Sequence, residues 1–145
     1  MTEAYVFRED WNCVLLRATG ERDIRAYRSL VAALKADPRI RPGYLRLTDV
    51  RAVDPLPSPQ FTRSIASVMA ELETSKPVGK AAILVREEVQ YGMLRVYQAH
   101  LTEAADRMQV FRNLPDACRW LGLPPDIPDP FTSGEWRPEW SSSVS

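Results

Sequence analysis

Residues 47–59, with the sequence LTDVRAVDPLPSP, hold the side chains of this chain that are best placed for chemistry. Asp49 and Arg51 follow a run typical of a β-strand, and open α/β sheets bind ligands at the carboxyl ends of their strands. The same two side chains could instead pair with each other through parallel hydrogen bonds. Ser58 precedes an apolar helical stripe, where a serine caps the helix and a phosphoryl group would also be stabilised. A binding rim and a purely structural role both remain open.

Later strand ends and the third predicted helix supply the rest of this rim. Arg86 and Arg112 end two later strands and should reach the same edge of the sheet. Gly92 lies inside a helical pattern, where glycine costs about 0.5–1 kcal/mol relative to alanine, so we expect the helix to approach the sheet closely there. A ligand passing beside that helix is the alternative. The predicted ligand or partner rim comprises Asp49, Arg51, Ser58, Arg86, Tyr91, Gly92 and Arg112.

The residues that enzymes and metal sites need are sparse in this chain. His100 is the single histidine, and Cys13 and Cys118 stand outside any CxxC pattern. Glu87 and Glu88 are adjacent, so a helix would point them about 100° apart rather than toward one substrate. No phosphate-binding glycine loop, nucleophile elbow or HExxH motif is present. We expect no catalytic residues, no metal and no cofactor, and two buried, reduced cysteines.

Hydrophobic patterns predict the elements that must position these residues. Two β-prone runs separated by two acidic residues predict an opening hairpin, and apolar steps of three and four predict amphipathic helices after it. Strands are predicted over 4–8, 11–19, 44–50, 79–86 and 108–112, and helices over 22–36, 61–73, 89–101 and 114–121. This alternation favours the α/β class, with a mostly parallel five-stranded sheet, an N-terminal antiparallel hairpin and about four helices.

The chain divides into a patterned part and a tail. At 145 residues, with 45% hydrophobic and 26% charged residues, it has the size of one globular domain. Residues 1–122 form the predicted α/β domain, and residues 123–145, rich in proline and tryptophan, form a predicted tail outside the core fold. Phe131, Trp136 and Trp140 could each bury about 150–250 Å². We therefore expect the tail to pack on its own domain or to make an oligomer contact with a neighbour.

Charge and hydropathy narrow the range of partners. Nineteen Lys and Arg residues balance nineteen Asp and Glu residues, so no excess positive field attracts nucleic acid or anionic membranes. No window approaches the roughly 18 apolar residues that a membrane-spanning helix needs, and the first residues lack the pattern of a signal peptide. We expect no nucleic-acid partner, no membrane insertion and a cytoplasmic location.

Four segments occur in an order and spacing that can be compared with known families: LKADPRIRP (34–42), LTDVR (47–51), YGMLRVY (91–97) and VFRNLPDACRWLG (110–122). Together they resemble the SpoIIAA-like proteins of the STAS-like fold, relatives of bacterial anti-sigma factor antagonists, over about residues 4–122. The resemblance implies a small sheet flanked by helices, generally without a catalytic role, that binds other proteins. In those antagonists a phosphorylated serine directly follows the strand-end aspartate. Here Asp49 is followed by Val50, so that switch is not carried over.

Two functions from different classes are consistent with these observations. The first is a non-enzymatic interaction or regulatory domain of STAS-like fold that binds a protein partner or a second copy of itself. The alternative is a small-molecule or lipid carrier with an apolar cleft between the strand ends and the second and third helices. Met69, Tyr91, Met93 and Tyr97 would line that cleft. An enzyme is not expected, because the nucleophile, base and oxyanion donors cannot be assigned.

Overall fold

The computed structural model describes residues 3–86, 88–99 and 105–142, with the side chains of residues 89–91, 93, 96, 98 and 105 left out. After an opening hairpin, helices and strands alternate along the chain. The strands are β1 (Glu3–Arg8), β2 (Cys13–Gly20), β3 (Leu45–Val53), β4 (Lys80–Leu84), β5 (Met108–Phe111) and β6 (Trp140–Ser141). The α-helices are α1 (Ile24–Ala36), α2 (Pro59–Ser75), α3 (Glu88–Ala99) and α4 (Leu114–Leu121).

The strands form one mixed sheet in the order β5-β4-β3-β2-β1-β6. Neighbours from β2 to β5 run parallel, whereas β1 is antiparallel to both β2 and β6. The predicted α/β class is confirmed. The predicted five-stranded sheet is wrong by one strand, because the tail supplies β6, which pairs with Ala4 and Tyr5 on the outer edge of β1. Because β6 has two residues and pairs with a strand at the opposite end of the chain, no local sequence pattern predicts it.

Local capping sets where the helices begin and end. The side chains of Asp23, Ser58 and Asn113 accept backbone N–H groups in the first turns of α1, α2 and α4, at 2.9, 3.1 and 3.0 Å. The cap places the start of α1 at Ile24. Arg22 therefore lies outside the helix, although the sequence pattern predicts a helix from residue 22. None of the described helices has the length and apolarity needed to cross a membrane.

Helices cover both faces of the sheet and produce two cores. One core lies beneath α1, α2 and α3, and the other lies beneath α4 and the tail. Because side chains alternate along a strand, Arg46 and Val50 of β3 face the first core while Leu47 and Asp49 face the second. Phe131 is buried in this second core. The tail is therefore part of the fold and not a segment outside it.

Asp37, at the end of α1, connects three parts of the chain. It accepts hydrogen bonds from the Tyr5 hydroxyl of β1 at 3.0 Å and from Arg39 Nη2 at 2.8 Å. Arg39 also pairs with Glu139 beside β6 at 2.8 Å. Lys76, at the end of α2, donates to the Asp37 carbonyl oxygen at 2.7 Å. This junction fixes α1 and α2 against the edge of the sheet on which the tail docks.

Deleting residues 139–145 should uncover the edge of β1 and promote self-association. The Glu139 and Ser142 N–H groups donate to the carbonyls of Tyr5 and Glu3, at 2.9 and 2.8 Å, and an unpaired strand edge recruits other chains. We expect dimers or larger species in size-exclusion chromatography with light scattering. Deletion of residues 143–145 alone is the control and should leave the oligomeric state unchanged. Equal masses for the two deletions would show that β6 does not protect this edge.

The Asp37 junction should give the protein an acid-sensitive component of stability. Hydrogen bonds from Arg39 lower the pKa of Asp37 from 3.8 to about 2. Because this pKa is lower in the folded chain, the stabilisation is complete above about pH 4 and is lost as the pH falls toward 2. The difference in unfolding free energy between the wild type and Asp37→Asn, measured in urea, should therefore shrink between about pH 5 and pH 2.

The exposed Asp126 supplies the control, since Asp126→Asn should leave the pH dependence unchanged. A wild-type advantage over Asp37→Asn that stays constant across this pH range would contradict the assignment.

Candidate functional site

Asp49 is a charged group in the second core, with only 1% of its surface exposed. Arg51, two residues later on the same face of β3, compensates it: Nε donates to Oδ1 at 2.8 Å and Nη2 donates to Oδ2 at 3.2 Å. The Arg51 backbone N–H adds a third hydrogen bond to Oδ1 at 2.9 Å. Burying a carboxylate costs several kcal/mol unless it is paired in this way. The two strongest candidates for a binding rim therefore bind each other.

The tail completes this arrangement. Arg51 Nη2 also donates to Asp129 Oδ2 at 2.8 Å, and Arg17 on β2 donates to the Phe131 carbonyl at 2.9 Å while its Nε lies 3.6 Å from Asp49 Oδ2. Burial raises the pKa of Asp129, but the hydrogen bonds from Arg51 and from the Phe131 N–H, together with the Arg51 charge, outweigh burial, and the net shift is downward. Arg17, Asp49, Arg51 and Asp129 form what we call the Asp49 cluster. It joins the sheet to the tail and leaves no open carboxylate for a ligand.

The other predicted rim residues are scattered. Arg86 is exposed and donates to the Arg51 carbonyl at 2.9 Å, so it lies beside the Asp49 cluster. Arg112 pairs with Glu88 at 2.6 Å in an exposed ion pair. Ser58 is exposed and caps α2. Hydrogen bonds connect Asp49, Arg51 and Arg86, whereas Ser58 and Arg112 bond to other partners.

The reason predicted for Gly92 is wrong. A Cβ built on this exposed residue meets no described atom within 4 Å, so the described part of the sheet does not approach the helix there. A close approach occurs instead at Gly79, where a Cβ would lie 2.6 Å from the Gly43 carbonyl oxygen. The side chains of Tyr91 and Met93, and residues Glu87 and His100, lie outside what the structure describes.

The tail aromatics pack on their own chain. Phe131 is buried, and its ring centroid lies 5.4 Å from that of Trp136. Trp140 stacks on Tyr5 with centroids 6.2 Å apart. Between the tail and the β1–β2 hairpin lies an open groove of about 420 Å³. Its larger apolar lining residues are Trp11, Leu15, Ile127, Pro128, Pro130 and Trp136.

A cavity of about 70 Å³ lies on the opposite face, between the sheet and helices α1–α3. Its apolar lining includes Leu16, Val50, Val53, Ile65, Met69, Ile83, Leu94 and Met108. Leu56 and Pro57, which follow β3 at the carboxyl edge of the sheet, also line it and are half-buried. Met69 and Tyr97, two of the four residues named for an apolar cleft, line this cavity. Val50, at the position next to Asp49, also faces it.

Two arginines line the same cavity. Arg46 is 2% exposed, and its Nη1 donates to the Tyr44 hydroxyl at 2.8 Å and to Glu73 Oε1 at 3.1 Å. Arg22 Nη2 donates to both oxygens of the fully buried Glu3, at 3.1 and 3.2 Å. Among the described residues, the buried Nε of Arg22 has no hydrogen-bond partner, and neither has the buried Nε of Arg17 in the Asp49 cluster. A buried donor without a partner costs roughly 1–3 kcal/mol.

Two tyrosine hydroxyls add to the polar lining of the cavity. Burial raises the pKa of Tyr27 well above its usual value, and burial also raises the pKa of Tyr97. Both are therefore neutral at physiological pH, and they share a hydrogen bond with each other.

Sequence reasoning missed these cavity arginines. The strand pattern of residues 44–50 contains a signal for Arg46, since alternation puts it on the same face as Tyr44 and Val50, both apolar core positions. Arg22 gave a misleading signal, because its spacing fits the polar side of the helix that begins two residues later.

The described residues contain no group of three or more His, Cys, Asp and Glu side chains able to hold a metal ion. Burial raises the pKa of the Cys13 thiol to about 12, so this cysteine is not a thiolate nucleophile near neutral pH.

No protein-family model and no curated protein matches the sequence. Among solved structures, the chain is similar to an uncharacterised protein of the DUF3478 family, with a SpoIIAA-like fold, from Shewanella loihica PV-4. The TM-score is 0.57 at 19% sequence identity, over 83% of this chain and 94% of that chain. The fold is therefore SpoIIAA-like, as the resemblance of the four sequence segments implies.

Removing the Arg51 side chain should destabilise the protein far more than removing its tail partner. Arg51→Ala leaves the Asp49 carboxylate buried and poorly compensated, at an expected cost of about 3 kcal/mol. Asp129→Ala breaks a partly exposed pair and should cost about 1 kcal/mol. Urea denaturation monitored by tryptophan fluorescence measures both values.

The control is Arg112→Ala, which breaks an exposed pair and should cost about 0.5 kcal/mol or less. Equal losses for Arg51→Ala and Arg112→Ala would contradict the compensating role of Arg51.

Proposed function

We propose that this SpoIIAA-like domain is a non-enzymatic regulatory domain that binds a small molecule in the cavity between the sheet and helices α1–α3. One observation carries the proposal: the cavity combines an apolar lining with a small number of polar groups, which are the guanidinium groups of Arg22 and Arg46 and the hydroxyls of Tyr27, Thr48, Thr62 and Tyr97. Small-molecule sites have this composition, with mostly apolar walls and a few polar groups that orient the ligand. The Asp49 rim is not part of the proposed site, because the Asp49 carboxylate is buried and paired with Arg51, which also pairs with Asp129 of the tail.

The size of the cavity favours a small molecule over a lipid, the two kinds of ligand considered for an apolar cleft. Pockets for drug-sized ligands enclose roughly 300–1,000 Å³, and an engineered cavity of about 150 Å³ binds benzene. A cavity of about 70 Å³ is too small for a lipid chain. The proposed ligand is therefore a molecule of a few heavy atoms, and the domain senses it rather than carrying a lipid.

The described residues support a binding role over a catalytic one. The cavity arginines face tyrosine and threonine hydroxyls, and no acidic side chain, histidine or cysteine lines the cavity among the residues described. Acid–base or nucleophilic catalysis here would have to use these hydroxyls, but burial keeps Tyr27 and Tyr97 protonated, and no described lining residue is a general base for the threonines. Arginine stays protonated at physiological pH and so binds anions without exchanging a proton.

A protein partner is the second candidate, and the groove beside the tail favours it. Trp11 and Trp136 line this groove, and the Arg8 guanidinium lies 3.7 Å from the centroid of the Trp11 ring. Exposed tryptophan and arginine side chains are enriched at the centres of protein interfaces. This candidate uses the opposite face of the sheet from the cavity, so variants of one site leave the other unchanged.

Filling the cavity should abolish small-molecule binding without unfolding the protein. Thr48→Ile replaces a cavity-lining hydroxyl with an ethyl group on a β-branched side chain suited to a strand. Small acids, amides and alcohols would be screened by saturation-transfer NMR against the wild type and this variant. We expect ligands of the wild type to lose binding in Thr48→Ile.

The matched control is the same replacement at the exposed Thr74 of α2, which should bind as the wild type does. No ligand at all, or ligands that bind Thr48→Ile unchanged, would overturn the cavity as the binding site. A partner protein lost in Trp11→Ala and retained in Thr48→Ile would favour the second candidate.

A further inference from the structure

Thr48 is a polar residue in the middle of the helix-covered face of the sheet. It lies on β3, and because side chains alternate along a strand, Arg46 and Val50 share its face. The strand register sets Leu16 of β2 and Ile83 of β4 directly beside it. All five residues line the cavity. The floor of the cavity therefore carries one hydroxyl with an apolar side chain on each neighbouring strand.

The cavity gives access to this hydroxyl. β3 lies between β2 and β4, and helices cover this face of the sheet, yet Thr48 is half-buried and not fully buried. Leu16 and Ile83 beside it are only 2% and 6% exposed. Among the described residues, the Thr48 hydroxyl has no hydrogen-bond partner. A molecule in the cavity can therefore both reach this hydroxyl and bond to it.

The charges that line the cavity already have partners. Arg46 pairs with Glu73 at 3.1 Å, and Arg22 pairs with Glu3 at 3.1 Å. A charged ligand would lose its hydration on entering and would meet no free charge of opposite sign among the described lining residues, and an uncompensated charge is unfavourable in such a place. The cavity therefore selects against anions and cations alike.

The other hydroxyls of the lining are engaged within the chain. Thr62 donates to the Ser58 carbonyl at 3.0 Å, and Tyr27 and Tyr97 share a hydrogen bond. A ligand with several polar atoms, such as a diol, would bury groups for which the cavity floor has no partner. A single alcohol oxygen can accept from the Thr48 hydroxyl or donate to it. One free hydroxyl among apolar side chains thus matches a ligand with one polar oxygen.

Volume limits the length of the ligand. A cavity of about 150 Å³ holds benzene, with six carbon atoms, so about 70 Å³ holds roughly three or four heavy atoms. We infer that the cavity binds an uncharged alcohol of about two or three carbons, with its hydroxyl on Thr48 and its alkyl group against Val50 and Ile83. This inference rests on the proposed function and names the class of its ligand.

The charge of the ligand provides the first test. 1-Propanol, propylammonium and acetate all have about the same size and differ in charge. Each would be titrated at constant ionic strength into the full-length, methyl-labelled protein, and the methyl shifts of Val50 and Ile83 would report binding in the cavity. We expect 1-propanol to bind about tenfold more tightly than either ion. An ion that binds as tightly as 1-propanol would overturn the inference.

The same titrations separate this inference from the proposed function. If an ion shifts the cavity methyl groups and 1-propanol does not, the cavity remains a small-molecule site and the assignment of an alcohol fails. If none of the three molecules shifts these methyl groups, the assignment of an alcohol also fails. The wider screen against the wild type and Thr48→Ile then decides the proposed function separately.

The role of Thr48 can be tested by removing its hydroxyl alone. Thr48→Val replaces the hydroxyl by a methyl group and keeps a β-branched side chain, which a strand favours. We expect 1-propanol to bind about fivefold more weakly to this variant, which is the effect of one neutral hydrogen bond. 1-Chloropropane has nearly the same shape and no hydroxyl, so it should bind the variant at least as tightly as the wild type.

The matched control is Thr74→Val, the same change on the exposed surface of α2, which should bind both molecules as the wild type does. Equal 1-propanol affinities for Thr48→Val and Thr74→Val would contradict the assignment of Thr48. Equal losses of 1-propanol and 1-chloropropane binding in Thr48→Val would contradict it as well, because the loss would then not come from a hydrogen bond.

Discussion

The buried carboxylate of Asp49 is the constraint on which one half of this molecule depends. A charge in the core must be compensated, and Arg51 and Arg17 approach it from β3 and β2. Each of these arginines also holds the tail, through Asp129 and the Phe131 carbonyl. Compensation of one charge therefore orders a segment whose composition alone suggests disorder. Once docked, this segment covers the second core and places β6 on the free edge of β1.

The other face of the sheet meets the same constraint with a different result. Arg46 and Arg22 are compensated by Glu73 and Glu3, and both arginines line a cavity. The Asp49 cluster uses its arginines to connect the sheet to the tail, whereas Arg46 and Arg22 each pair with a glutamate beside the cavity. The tail closes the Asp49 face, and the proposed binding site is therefore the cavity on the other face.

The sequence predicts the elements well where a local pattern decides them. The hairpin, the alternation of helices and strands and the cap at Ser58 follow from periodicity and capping chemistry over short stretches. The site is harder to predict, because its residues meet only in three dimensions. Asp129 lies far along the chain from its partner Arg51, and nothing in its local sequence marks it as an ion-pair residue. Gly92 shows the opposite error. The cost of a glycine inside a helix was attributed to close packing against the sheet, but no described atom lies within 4 Å of a Cβ built there.

The central claim is that this domain binds its ligand on the α1–α3 face while the Asp49 face stays closed by the tail. The most direct measurement is an isotope-filtered NOE experiment on labelled protein saturated with an unlabelled ligand from the saturation-transfer screen. The account predicts NOEs from the ligand to methyl groups of Val50, Ile65 and Met69, which line the cavity. NOEs to Ile127 beside the tail, or none at saturation, would contradict it.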